Sequence, residues 1–240
     1  MLTVLLPPNP LAYLEFMPYV FQLLSQLLES QKTNALSDDY LQLLLPLINP
    51  ELWRTKANTI PLVRLLQAYL RRGAANVIQA KKLDGMLGVW QNLISSKLYD
   101  AYGFDLLMTI FLEVPMSPPF SFKSDFGSDS LSQFIGNIFH ILLTRLQKSR
   151  TDRYVFRFSE LIYFLAAVQK PGLGPTFAQA ALDQQGQGLF GQLLQMFIIP
   201  KTPQIKGREQ VITTIVGVTR FLTESSDLQS GQYARFWYSI

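Results

Sequence analysis

The chain of 240 residues is 48% hydrophobic and only 16% charged, far too apolar to stay unfolded, because a disordered chain lacks the hydrophobic surface needed to offset its ordering entropy. Its 21 basic and 17 acidic residues leave a net charge of +4, a scattered excess that gives no support for nucleic-acid binding, which needs Lys and Arg gathered on one face. The absence of cysteine removes disulfides, thiolate catalysis and cysteine-ligated zinc. The longest apolar run, Leu161 to Val168, falls well short of the roughly 20 residues that cross a bilayer, so no membrane insertion is expected.

Met1 to Leu6 has no basic flank and runs into Pro7, Pro8 and Pro10, so no targeting segment is expected there and the chain reads as soluble and intracellular. From that point the i, i+3, i+4, i+7, i+8 stripe of a core-facing helix recurs. It appears as Val20, Leu23, Leu24, Leu27 and Leu28; as Leu62, Leu65, Leu66, Tyr69 and Leu70; as Phe104, Leu107, Met108, Phe111 and Leu112; and as Phe158, Leu161, Ile162, Leu165 and Ala166. A looser copy, Val211, Ile215, Val218 and Leu222, lies on a threonine- and valine-rich segment. Between these stripes sit further helix-like segments at Ser37 to Ile48, Lys82 to Lys97, Asp129 to Lys148 and Leu189 to Ile199. A two-helix unit thus starts near residues 20, 62, 104, 158 and 211, about the 40 to 47 residue period of HEAT and armadillo repeats. The two overlong intervals are explained by breaks rich in Pro, Gly and Ser at Val114 to Asp129, Pro171 to Pro175 and Pro200 to Gly207.

The expected fold is therefore all-α, a HEAT/ARM-type α-α superhelix: one solenoid segment of about five antiparallel helix pairs at 10–48, 59–97, 100–148, 151–199 and 207–240. Such repeats bury their apolar faces only by stacking on neighbours. The last run, Tyr233, Phe236, Trp237, Tyr238 and Ile240, reads either as an ordinary last helix or as the uncapped end of an array truncated from a longer one. Trp90 shares a stripe with Met86, Leu87 and Ile94 and is expected in the core. Phe120, Phe122 and Phe126 in the Met116 to Ser130 segment read either as docking back onto the array or as a contact for a partner, and docking back is expected, since three exposed phenylalanines are costly.

No motif points to catalysis. His140 is the single histidine, and it falls in line with Gln133, Asn137, Thr144 and Gln147, a polar helix stripe with no carboxylate to orient an imidazole. A solvated or partner-facing residue is the expectation. Gly186-Gln-Gly-Leu-Phe-Gly191 matches G-x-G-x-x-G in letters only, because no strand precedes it to deliver a glycine turn to a helix start; these glycines are expected to end one helix and permit the turn into the next. Lys148, Arg150, Arg153 and Arg157 form the densest basic group, read first as solvated turn charges, next as a protein-docking edge and last as a nucleic-acid patch, which lacks interleaved aromatics and a groove-reading motif. Asp38 and Asp39 stand where a helix dipole favours acid. No catalytic residue, cofactor or metal is expected.

Several strings also resemble a known family. They are Leu5 to Tyr13 (LLPPNPLAY), Pro18 to Gln22 (PYVFQ), Ile60 to Leu70 (IPLVRLLQAYL), Leu87 to Lys97 (LGVWQNLISSK), Gly103-Phe104, Arg145 to Thr151 (RLQKSRT), Ile198-Ile-Pro200, Gly217 to Glu224 (GVTRFLTE) and Trp237. In this order they are similar to the carboxy-terminal half of the importin-α exportin, or CAS (cellular apoptosis susceptibility), family of karyopherins. The resemblance implies a HEAT-repeat segment of a much longer nuclear export receptor that shuttles between nucleus and cytoplasm, with importin-α and Ran-GTP as partners of the full-length receptor. The segment from Val114 to Asp129 departs from the family pattern. On this analogy the second helices line the inside of the array, and the residues expected to face a partner are Gln133, Asn137, His140, Thr144, Lys148, Arg150 and Arg153. The alternative function is a helical-repeat scaffold of another assembly with no transport role.

Overall fold

A computed structural model describes residues 10–33, 35–116 and 131–239, with side chains from residue 15. The expected docking of Phe120, Phe122 and Phe126 and the place of Ile240 lie outside these residues. Among the described residues there is no strand. The fold is all-α and of the HEAT type, divided into two compact units, Met1–Trp90 and Gln91–Ile240, whose boundary falls within one helix.

The first unit holds α1 (Pro10–Ser30), α2 (Asp38–Leu47), α3 (Thr59–Gln79) and the start of α4 (Leu83–Ser95). Asp38 and Asp39 occupy the first turn of α2, complementing its dipole. α3 buries Leu62, Leu65, Leu66, Tyr69 and Leu70, the stripe read from the sequence, and Trp90 is buried beside Met86 and Leu87. Three polar contacts tie the helices together. Arg64 donates to both carboxylate oxygens of Glu29, at 3.0 and 2.6 Å, which holds Glu29 below the ordinary carboxylate range. Arg72 donates to the Glu29 carbonyl at the end of α1. The Tyr69 hydroxyl donates to the Tyr40 carbonyl at 2.8 Å, with the two rings edge-to-face.

α1 corrects the sequence reading. Its buried line is Phe21, Ser25 and Leu28, while Val20, Leu23 and Leu27 of the expected core stripe are exposed, Leu23 by 57%. The helix is apolar around most of its girth, and in this unit it packs mainly on α3, with a smaller contact to the 3₁₀ turn at Lys56–Asn58; these cover one side and leave Val20, Leu23 and Leu27 outside it.

The second unit holds α5 (Asp100–Glu113), α6 (Ile135–Ser149), α7 (Asp152–Ala167), α8 (Pro175–Asp183), α9 (Leu189–Leu193), α10 (Ile199–Lys201), α11 (Arg208–Glu224) and α12 (Ser226–Gln229). α5, α7 and α11 lie side by side, and α8 packs on α6, α7 and α11. α7 starts where the Thr151 hydroxyl accepts the Tyr154 N–H at 3.2 Å, an N-cap that satisfies one of the orphan donors of the first turn. Its stripe Phe158, Leu161, Ile162, Leu165 and Ala166 is wholly buried, as are Phe104, Leu107 and Phe111 of α5, whereas Leu112 is exposed. Phe177 of α8 meets Phe111 and Phe139 edge-on at 6.0 and 6.4 Å, and Phe190 meets Phe221 and Tyr233 at 5.5 and 5.3 Å.

The glycine-rich string behaves as a turn: Gly188 takes the left-handed conformation that starts α9 (φ 74°), which glycine adopts without a Cβ penalty. The expected helix from Leu189 to Ile199 widens into a π turn at Leu194–Ile198. The final aromatic run is a 3₁₀ turn, Ala234–Phe236, not a last helix; Tyr233 and Phe236 are buried and Tyr238 is exposed.

α11 is a helix as expected, but its expected core stripe is only partly covered, Val218 and Leu222 being half-buried. Thr214, Gly217 and Phe221 face inward, while Val211 and Ile215 are exposed. Gly217 is the reason. A Cβ there would stand 2.5 Å from the Tyr163 carbonyl oxygen, so only glycine lets the α11 and α7 backbones meet this closely.

Basic side chains close the carbonyl ends of α5 and α7. Lys170 donates to the carbonyls of Phe111, Leu112 and Val114 at 2.8, 2.7 and 2.6 Å. Arg220, itself paired with both oxygens of Glu224 at 2.7 and 2.8 Å, donates to Ala166 and Val168 at 2.8 and 2.9 Å.

Gly217→Ala is expected to lower stability by about 1–3 kcal/mol, the usual cost of forcing extra volume into a packed interface. Gly88→Ala, in exposed mid-helix with open space at its Cβ, should raise it by about 0.5–1 kcal/mol. Urea titrations of the two variants check both signs. In the same assay Lys170→Met should cost about 1–3 kcal/mol, the worth of charged hydrogen bonds lost from helix-end carbonyls.

Candidate partner-binding surface

α6 is two-sided. Ile135, Ile138, Phe139, Leu142, Leu143 and Leu146 are buried, which leaves Asn137, His140 and Gln147 exposed along the opposite side with Thr144 half-buried. Gln133 is exposed in the 3₁₀ turn that leads into the helix. The ridge carries amide, imidazole and hydroxyl groups, able to donate and accept hydrogen bonds with a partner.

The basic group at the end of this ridge divides in two. Lys148 and Arg150 are exposed, Arg150 lying over the Phe197 ring at 5.3 Å from its centroid. Arg153, itself exposed, and the half-buried Arg157 are both tied to carboxylates of α5. Arg153 donates to Asp100 Oδ1 through Nε at 3.0 Å and Nη2 at 2.7 Å, and also to the Lys97 carbonyl. Asp100 is completely buried in the first turn of α5, with Arg145 Nη2 at 3.6 Å from its second oxygen. Arg145 lies 5.0 Å from the Tyr154 ring centroid, and the Tyr154 hydroxyl donates to the Leu142 carbonyl at 3.0 Å. Burial pushes the Tyr154 phenol well above its ordinary range. One carboxylate therefore joins α5, α6 and α7.

Arg157 pairs with Asp105 and, at 2.5 Å, with Glu160. Burial raises the Glu160 carboxyl, against the opposing pull of Arg157. Asp100 and Glu160 were not singled out by sequence reasoning. Each pairs with, or is bridged by an arginine to, residues some fifty positions away, and no local spacing marks such a partner.

Among the described residues no group of His, Asp and Glu is placed to hold a metal ion, and no helix is long and apolar enough to cross a membrane. Stacked helices, a polar ridge and charges tied into the stack define a helical-repeat protein whose visible equipment is surface. The chain belongs to the family described as CAS/CSE protein, C-terminus, whose sequence profile matches residues 12–240. It is 37% identical over 209 residues to the importin-alpha re-exporter of Schizosaccharomyces pombe, covering 87% of this chain and 20% of that protein. It is 34% identical over 225 residues to exportin-2 of Pagrus major, covering 93% and 21%. A solved structure of the exportin Cse1 in its cargo-free, cytoplasmic state superposes with a TM-score of 0.78 at 29% identity, covering 94% of this chain and 22% of that one. The chain thus spans about a fifth of the length of these relatives.

Asp100→Asn is expected to cost about 3–5 kcal/mol, because it leaves Arg145 buried without its counter-charge. Lys148→Glu and Arg150→Glu should each stay within about 0.5 kcal/mol of the parent, as exposed substitutions do. Thermal denaturation of the three variants separates the structural half of the basic group from the surface half.

Proposed function

We propose that this chain is part of a nuclear export receptor that carries importin-α back to the cytoplasm in a complex with Ran-GTP. The observation that carries the reading is the near-end-to-end match to a relative named for re-exporting importin-α, 37% identical over 87% of this chain. Fold likeness to the exportin Cse1 supports it. In this reading the helices form about five stacked pairs, at 10–48, 59–97, 100–148, 151–199 and 207–240, and the second helix of each pair faces cargo. Gln133, Asn137, His140 and Thr144 form the contact ridge, extended by Lys148 and Arg150. Arg153 supports it from beneath through Asp100. The role is a grip distributed over many repeats, with no catalytic step, in a receptor that shuttles between nucleus and cytoplasm. Small rotations between stacked repeats add up along such an array.

A chimera tests this, with the chain replacing the matching segment of the Schizosaccharomyces pombe importin-alpha re-exporter. The chimera should retain importin-α in a pull-down when Ran carries a non-hydrolysable GTP analogue, and little without it. Combining Asn137→Ala, His140→Ala, Lys148→Glu and Arg150→Glu should weaken retention several-fold while leaving the melting temperature in place. A folded chimera that ignores importin-α under both conditions would sink the transport reading.

A further inference from the structure

A second surface, away from the α6 ridge, has its own chemistry. α5, α7 and α11 leave between them a cleft of about 160 Å³ to which neither α6 nor α8 contributes. Its apolar lining is Met108 and Phe164, and its charged lining is Asp105, Glu160 and Glu209 with the single guanidinium of Arg157. Arg157 is engaged by Asp105 and Glu160, so the lining keeps an excess of negative charge in a chain whose net charge is +4.

The cleft opens beside an apolar patch. Glu209, Ile212, Thr213 and Val216 stand at i, i+3, i+4 and i+7 on α11 and share one face. Glu209 and Thr213 line the cleft, while Ile212 and Val216 are exposed by 52% and 37%. Contiguous exposed aliphatic residues with a polar rim are characteristic of protein-interaction surfaces.

We propose that this cleft is a docking site for a lysine or arginine side chain of a partner protein, presented by a segment with aliphatic residues on either side. The occupant's cation offsets part of the surplus negative charge, beside Glu209, the carboxylate that Arg157 does not engage. Its methylene stem lies along Met108 and Phe164, as long basic side chains do when the stem is buried and the head stays polar. Its aliphatic neighbours cover Ile212 and Val216. A polyanion or an acidic peptide is repelled by the same three carboxylates, so the charge pattern selects as well as attracts. This docking is separate from the export reading, because it uses a different set of helices and stands or falls without importin-α.

The test is NMR titration of the ¹⁵N-labelled 240-residue chain with a blocked pentapeptide of sequence AIRVA, alongside its uncharged counterpart AIQVA. AIRVA should give saturable shifts gathered on the amides around Asp105, Glu160 and Thr213. AIQVA, high salt and the exposed-site variant Glu209→Gln should each weaken binding by about threefold, the scale of a solvent-screened ion pair. Thr213→Arg, which sets a competing guanidinium in the cleft, should abolish the shifts while the rest of the spectrum stays folded. Absence of saturable shifts, equal binding of AIQVA, or indifference to both Glu209→Gln and Thr213→Arg would each overturn the proposal.

Discussion

The constraint on which the rest of the structure depends is the joining of the carboxy-terminal ends of α1, α5 and α7 to a neighbouring layer by a half-buried cation. Arg72 of α3 reaches the Glu29 carbonyl at the end of α1, Lys170 reaches the last carbonyls of α5, and Arg220 of α11 reaches those of α7. The last carbonyls of a helix have no intrahelical partner and carry the negative end of its dipole. A cation from the following layer satisfies both deficits at once. It also fixes register, which apolar packing alone leaves loose, since a hydrogen bond to a particular carbonyl cannot slide along the groove as a leucine can. The same device operates in both units.

Most of the helices were legible in the sequence, because the 3.6-residue apolar stripe marks a core-facing helix even where it misplaces the buried face. α3 and α7 bury the residues that their patterns indicated. α1 and α11 do not. On α1 Leu28 of the expected line is buried, with Phe21 and Ser25, but Val20, Leu23 and Leu27 are exposed; on α11 a glycine and a threonine face inward in place of valine and isoleucine. Periodicity ranks faces by hydrophobicity, whereas packing ranks them by fit. At Gly217 the gain is the approach of two backbones, which no hydrophobicity pattern records.

The site was legible in outline only. The polar stripe on α6 follows from spacing, and its members are exposed or half-exposed. The basic group near residue 150 was read as one patch, and the structure divides it, because Arg153 and Arg157 find acids on α5 at a separation of about fifty residues. Long-range ion pairs of this kind leave no trace in local sequence. A cluster of four cations looks the same whether it faces solvent or closes on buried carboxylates.

That division explains how one helix can serve two purposes. Thr144 and Arg145 are adjacent, yet they point to different environments: the first belongs to the ridge, and the second lies against Asp100 and the Tyr154 ring. The ion cluster therefore fixes α6 against α5 and α7 from its inner side while the outer side stays free to hydrogen-bond. Two arginines on one fully buried carboxylate add little net stability over an apolar filling, because desolvation offsets most of the attraction. What they add is a fixed orientation. On the proposed reading, a ridge whose backbone is already held would lose less conformational freedom on meeting a partner, which is how a grip spread over many repeats keeps its entropic cost low.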